Sequence, residues 1–192
     1  MTEIEILVQV YDSEENAMNV LSSICTFSCE TTNIDIYFHD EIRKGLSPNE
    51  SCKTLESLRI RKKNDNTLLT YKYDHYDNNG IWSHSDEHEV MVADFEKIQS
   101  ILCGLGYKPL IIIENKRKVY LTDEYEIVLD SVKGLGLFLE VEATKTDTAV
   151  SVADQKKKIR EFIAAIGLSV SDELNCGKPE LMLRKNTTIS KR

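Results

Sequence analysis

Leu58-Arg59-Ile60-Arg61, followed a few residues later by Leu69-Thr70-Tyr71-Lys72, is the stretch that decides how this chain folds. Residues two apart in a strand share a face, so both arginines point one way and both aliphatics the other. Thr70 and Lys72 likewise stand opposite Leu69 and Tyr71. The same spacing carries the opposite charge at Glu3-x-Glu5, Glu87-x-Glu89 and Glu140-x-Glu142. A sheet wet on one face and packed beneath helices on the other would show the same period. Its wet face would mix Thr, Ser, Lys and Glu, whereas here whole strand pairs are acidic and others basic. Like unit charges about 4 Å apart repel by about 4 kcal/mol at an effective dielectric near 20, so gathered acidic pairs call for a cation. Carboxylate oxygens suit Mg²⁺ or Mn²⁺, and Mg²⁺ shares its remaining positions with waters and substrate phosphates. Arg grips phosphate bidentately and Lys acts as a point charge. Acids, bases and many strands together fit a barrel that is polar inside, with helices over its apolar exterior.

Each acidic pair precedes a helix. After Glu3-x-Glu5 the apolar alternation Ile4, Ile6, Val8, Val10 leads to a helix from Ser13 to about Cys25. After Glu87-x-Glu89, Asp94 opens a helix ending at Gly104-Leu105-Gly106. After Glu140-x-Glu142, Ser151-x-x-Asp154 resembles a capping box, with Ile159, Phe162, Ile163 and Ile166 as one stripe up to Gly167. Three such placements suggest a duplicated strand-then-helix unit. Between them, period-two runs predict strands at 34–38, 58–62, 68–73, 110–114, 119–122 and 127–129. Asp77-Asn78-Asn79-Gly80 signals a turn, 38–54 a long surface connection, and 185–192 a polar tail after a single domain spanning 1–184.

With 192 residues the chain suits one domain able to bury its own core. No apolar run approaches the roughly 20 residues of a membrane span. The acidic, alternating start is not a secretory signal. Five cysteines (Cys25, Cys29, Cys52, Cys103, Cys176) without a C-x-x-C pair read as reduced thiols, hence a cytoplasmic location. A net charge of -8 argues against nucleic-acid binding yet allows an anion site built from a few focused cations.

Other motifs are weaker. There is no P-loop signature. Gly134-Leu135-Gly136 lacks a third glycine and reads as a turn into a strand. His75, His84 and His88 with Asp74, Asp77 and Asp86 could bind a transition metal, but His84-Ser85-Asp86-Glu87-His88 is not His-Glu-x-x-His. Solvated loop histidines are the simpler reading. Trp82 reads as cover for a barrel rim, with stacking on a ligand ring as the alternative, and Cys103 as a core residue of the second helix.

Taken in order, these elements resemble the CYTH superfamily, the triphosphate tunnel metalloenzymes, which include class IV adenylate cyclases, thiamine triphosphatases and inorganic triphosphatases. The resemblance also rests on Leu105-Gly106-Tyr107, Lys116-Arg117-Lys118-Val119-Tyr120, Asp130 through Gly136, and Pro179-Glu180-Leu181. It implies an eight-stranded antiparallel tunnel made from a duplicated β-α-β-β-β unit. It further implies Glu3, Glu5, Glu140 and Glu142 near a Mg²⁺ or Mn²⁺ ion, with Glu87 and Glu89 as further tunnel acids. Arg59, Arg61, Lys72 and Arg117, with Lys116 beside them, would bind and act on the phosphates of a small triphosphate. Three cationic positions of the family pattern are lost, where Leu7, Ser85 and Asn115 stand. The implied activity is therefore triphosphate hydrolysis or adenylate cyclisation, with a degenerate triphosphate-binding module as the alternative.

Overall fold

The computed structural model describes residues 2–145 and 150–190. In chain order the elements are β1 (Thr2–Glu3), β2 (Glu5–Val10), α1 (Glu14–Ile24), β3 (Thr26–His39), β4 (Glu56–Lys63), β5 (Asn66–Tyr76) and β6 (Trp82–Val92). Then follow α2 (Phe95–Gly104), β7 (Lys108–Leu121), β8 (Tyr125–Val132), β9 (Gly136–Ala143), α3 (Val152–Ile166) and α4 (Lys178–Ser190). The sheet runs β1-β6-β5-β4-β3-β7-β8-β9-β2, antiparallel throughout. Only Ile4 separates β1 from β2, so the two ends of the sheet meet in one chain segment and an eight-stranded ring closes. Closing the ring removes the exposed strand edges that an open sheet must protect. The duplicated unit is visible as β1/β2-α1-β3-β4-β5 and β6-α2-β7-β8-β9.

The helices begin where side chains satisfy their first amides. Ser13, Asp94 and Ser151 accept from the N–H groups of Asn16, Lys97 and Asp154 at 3.2, 2.9 and 3.1 Å. A cap of this kind stabilises a helix by about 1 kcal/mol. Gly167, at φ 81°, ends α3 in the left-handed conformation that a side chain resists. Ala17 and Leu21 of α1 and Ile159, Ile163 and Ile166 of α3 pack on Ile4, Ile6, Val8, Val10, Leu139 and Val141. These are the outward members of the acidic strands, each worth about 1.5–3 kcal/mol when buried. Phe95, Ile98 and Leu102 of α2 cover Ile36, Phe38 and Ile60 in the same way. Ile60 is the residue between the two arginines, so burying it beneath α2 commits both to the inside.

Several expectations change in detail. Residues 110–114 and 119–121 belong to the single 14-residue strand β7, whose central charges alternate between its two faces without breaking it, and Thr122 lies just beyond its end. The connection after β3 holds a 3-10 turn at Lys44–Leu46 that buries Leu46. The polar residues from Lys185, read as a tail, continue α4 to Ser190. Cys103 is exposed, because its neighbour Leu102 takes the inward position on α2. All five cysteines are free thiols. No described helix is long and apolar enough to cross a membrane.

Candidate functional site

A cavity of 320 Å³ runs inside the ring. It is lined by Glu3 of β1, Glu5 of β2, Arg59 and Arg61 of β4, Lys72 of β5, Glu87 and Glu89 of β6, Arg117 of β7, and Glu140 and Glu142 of β9. Lys116 is not among them. It alternates with Arg117 along β7 and so stands exposed on the outer surface, which corrects its reading as a phosphate ligand. Lys118, on the other side of Arg117, also points outward but lies beneath α1 and pairs with Glu14 at 2.5 Å.

The cations sit on β7, β4 and β5, each held by a carboxylate. Arg61 makes a bidentate pair with Asp35 at 2.7 and 2.6 Å, directly across from it on β3. Arg59 donates to Thr70 at 3.1 Å and lies 3.6 Å from Glu89. Its buried Nε has no hydrogen-bond partner. Lys72 bridges Glu3 at 2.5 Å and Glu87 at 2.6 Å. Arg117 pairs bidentately with Asp130 at 3.0 and 2.8 Å. Lys178, from the first turn of α4, reaches in to Asp130 and Glu140, both at 2.5 Å. Lys178 and Arg117 hold Glu140 far below the usual carboxylate range, against the opposing effect of its burial.

On the opposite arc, acids face acids. Register places Glu5 of β2 opposite Glu142 of β9, and Glu142 opposite Glu126 of β8. This gives three carboxylates in one row across three adjacent strands, all lining the cavity. Among the described residues neither Glu5 nor Glu142 has an ion-pair partner. Burial, then the charge of Glu140, push the Glu5 carboxyl up to about 7. Burial, then the charges of Glu3, Glu5 and Glu140, push Glu142 up to about 8. Side-by-side ligand oxygens with no cation of their own are the donor set a hard divalent ion takes. The residues therefore fit Mg²⁺ or Mn²⁺.

Sequence reading missed Glu126, Asp35, Asp130 and Lys178. Glu124-x-Glu126 is a fourth Glu-x-Glu, but Glu124 falls in the turn before β8, so only one of its acids reaches the interior. Asp35 and Asp130 each stand as a single charge in an otherwise uncharged run, 34–38 and 127–132, with no acidic neighbour two residues away. Lys178 had no local signal, since it enters from a helix after the barrel is complete.

The three lost cations have distinct fates. Leu7 faces inward opposite Glu140 but packs with Ile113, Val132 and Phe138, and Leu174 and Leu181 cover that end of the tunnel. Ser85 donates to Asp74 at 2.6 Å. Asn115 lines the cavity with its Oδ1 unsatisfied. Trp82 lines the cavity too, its indole N–H 3.3 Å from Asp74 and the Lys156 ammonium 4.4 Å above its ring.

An eight-stranded antiparallel ring with acidic and basic side chains lining one cavity defines the class of tunnel-like barrels. A CYTH domain profile matches residues 1–174, and the chain belongs to that family. A Methanocaldococcus jannaschii protein described as a candidate adenylate cyclase is 32% identical over 186 residues, 96% of this chain and 99% of that one. The structure of the PH1012 protein of Pyrococcus horikoshii superposes with a TM-score of 0.75 at 24% identity, covering 93% of this chain and 98% of that one. A candidate adenylyl cyclase from Hippeastrum, described as having a dominant triphosphatase activity, superposes with a TM-score of 0.61 at 19% identity. That alignment covers 92% of each chain.

Proposed function

We propose that this protein binds a small triphosphate in the tunnel and hydrolyses it with Mg²⁺ or Mn²⁺. The observation that carries the reading is the partition of charge in one closed cavity, with cations on β7, β4 and β5 and an unneutralised acid row on β8, β9 and β2. Glu5, Glu126 and Glu142, with Glu3 and Glu140 beside them, are the residues that would hold the metal. When bound, it would screen the phosphate charge and polarise a phosphoryl oxygen. Arg59, Arg61, Lys72 and Arg117 bind the phosphates while their carboxylate partners hold them in position. Asp35 holds Arg61 in place through two hydrogen bonds, and the buried Nε of Arg59 is a donor without a partner. Cations fixed before the reaction stabilise charge on the transferring group without reorganising. The relatives described as cyclase and triphosphatase support a triphosphate as the ligand.

The test is a phosphate-release screen over inorganic triphosphate, ATP and thiamine triphosphate with each metal. Arg59→Ala is expected to lower turnover by about 10²–10³, the scale for losing one such donor. Lys116→Ala, on the outside, is expected to leave turnover within about twofold, as an exposed substitution should. Cyclic nucleotide and pyrophosphate formed from ATP would instead identify a cyclase using the same arc. A second reading, a binding module without turnover, is favoured by one observation: Leu7 sits in an apolar cluster where the family pattern has a lysine. Triphosphate binding with no product from any substrate would select it.

A further inference from the structure

The outer wall of the tunnel carries a second constellation. His75 of β5 and His84 of β6 are direct register partners, their rings stacked with centroids 4.5 Å apart and planes 11° from parallel. Asp86, two residues beyond His84, shares their face, and its Oδ2 lies 2.8 Å from His75 Nε2. One ligand atom from each of the three lies within 4.8 Å of the others. Asp74 and Ser85, the neighbours that point the other way, line the tunnel cavity. Of the six residues the sequence offered as a metal cluster, pairing of two strands across a turn brings these three together.

We propose that His75, His84 and Asp86 form a site for a late first-row divalent metal, zinc foremost, on the outside of the barrel and separate from the tunnel. Zinc bonds imidazole nitrogen and carboxylate oxygen at about 2.0–2.2 Å, which puts neighbouring tetrahedral ligands about 3.4 Å apart. To meet that, the ligand atoms close in from within 4.8 Å of one another, and one imidazole turns out of the stack so that both ring nitrogens point at the ion. Imidazole donors select zinc, cobalt, nickel or copper, whereas the all-oxygen row inside suits magnesium or manganese. His84 stands opposite His75 on the neighbouring strand, with its ring already placed against that of its partner. Its Nδ1 lies 3.1 Å from the Ser83 hydroxyl, a contact that orients the ring and leaves Nε2 for the metal. Three protein ligands leave one tetrahedral position for water.

The place gives the site a consequence. Asp86 is the register partner of Thr2, and among the described residues β1 closes the ring through two residue pairs, Thr2 with Asp86 and Glu3 with Ser85. A metal that ties β5 to β6 at Asp86 braces the strand on which that seam closes. Zinc is therefore expected to stabilise the folded barrel.

The experiment titrates zinc by calorimetry into the 192-residue protein stripped of transition metals, with excess Mg²⁺ present to occupy the acid row. One zinc per chain is expected, with a rise in melting temperature. His75→Ala and His84→Ala should each weaken binding by more than about tenfold, since even outer partners of a metal ligand act on that scale. Glu5→Gln with Glu142→Gln should leave zinc binding intact. The His75 side chain is 38% exposed, so truncation there spares the core, and His84→Gln with a far-UV spectrum checks folding at the second position. Zinc affinity equal in wild type and the histidine variants, zinc lost only in the glutamine variants, or no zinc bound by wild type would each overturn the proposal. None of these readouts involves triphosphate turnover.

Discussion

Replacing both Glu5 and Glu142 by glutamine is expected to abolish metal-dependent turnover while making the metal-free protein more stable. The two carboxylates face each other across β2 and β9 without a cation, and both titrate well above their ordinary value near 4.5. A group whose folded pKa is raised stabilises the fold below its unfolded pKa and withdraws that stability as pH rises through the folded value. Metal-free wild type should therefore lose stability between about pH 4.5 and pH 8, the span set by these shifts. The double glutamine variant should lack that loss and gain on the order of 1–3 kcal/mol near pH 7, since one pKa unit corresponds to about 1.4 kcal/mol. Turnover should fall by more than about a hundredfold, because ligands matter more than their outer partners. Thermal melts across pH, with and without Mg²⁺, provide the check. Calorimetry should add that Mg²⁺ binding near pH 7 releases roughly one to two protons, and fewer at alkaline pH. Equal melting temperatures for the two metal-free proteins at pH 8 would count against the acid row as an uncompensated cluster.

Lys178→Met is expected to be the most damaging single change to stability. It leaves Asp130, which is fully buried, and Glu140 sharing only Arg117. Removing one partner of a buried ionic group costs about 3–5 kcal/mol, a fall of roughly 10 °C for a chain of this size. The pH dependence has the opposite sign to that of the acid row. Glu140 is held below 4.5, so its pairing stabilises above that value and fades as pH falls, and the variant should show a smaller acid-side loss. Leu7 stands directly opposite Glu140, so a lysine there could supply the same charge from β2. Leu7→Lys alone should destabilise, because it brings an ammonium into an apolar cluster beside two existing cations. Combined with Lys178→Met it should recover about 1 kcal/mol or more relative to Lys178→Met, within the usual coupling range for touching residues. Additive losses in the double variant would show that Lys178 does not stand in for the missing lysine.

What the sequence determined by itself was whatever alternation encodes. Arg59 and Arg61 flank Ile60, and Glu3-x-Glu5 and Glu140-x-Glu142 flank Ile4 and Val141, all three covered by helices, so the other face of those strands had to be charged. Ser13, Asp94, Ser151 and Gly167 marked the limits of three helices because capping is local chemistry. The tertiary structure decided which charges meet. Register alone set Glu5, Glu142 and Glu126 in a row without a cation, and gave Asp35 to Arg61 and Asp130 to Arg117. It also turned Lys116 outward, carried α4 back to deliver Lys178, and stacked His75 on His84 across two strands. These pairings join residues far apart in sequence or on separate strands, and a period of two states which face a side chain takes but not which side chain stands across from it.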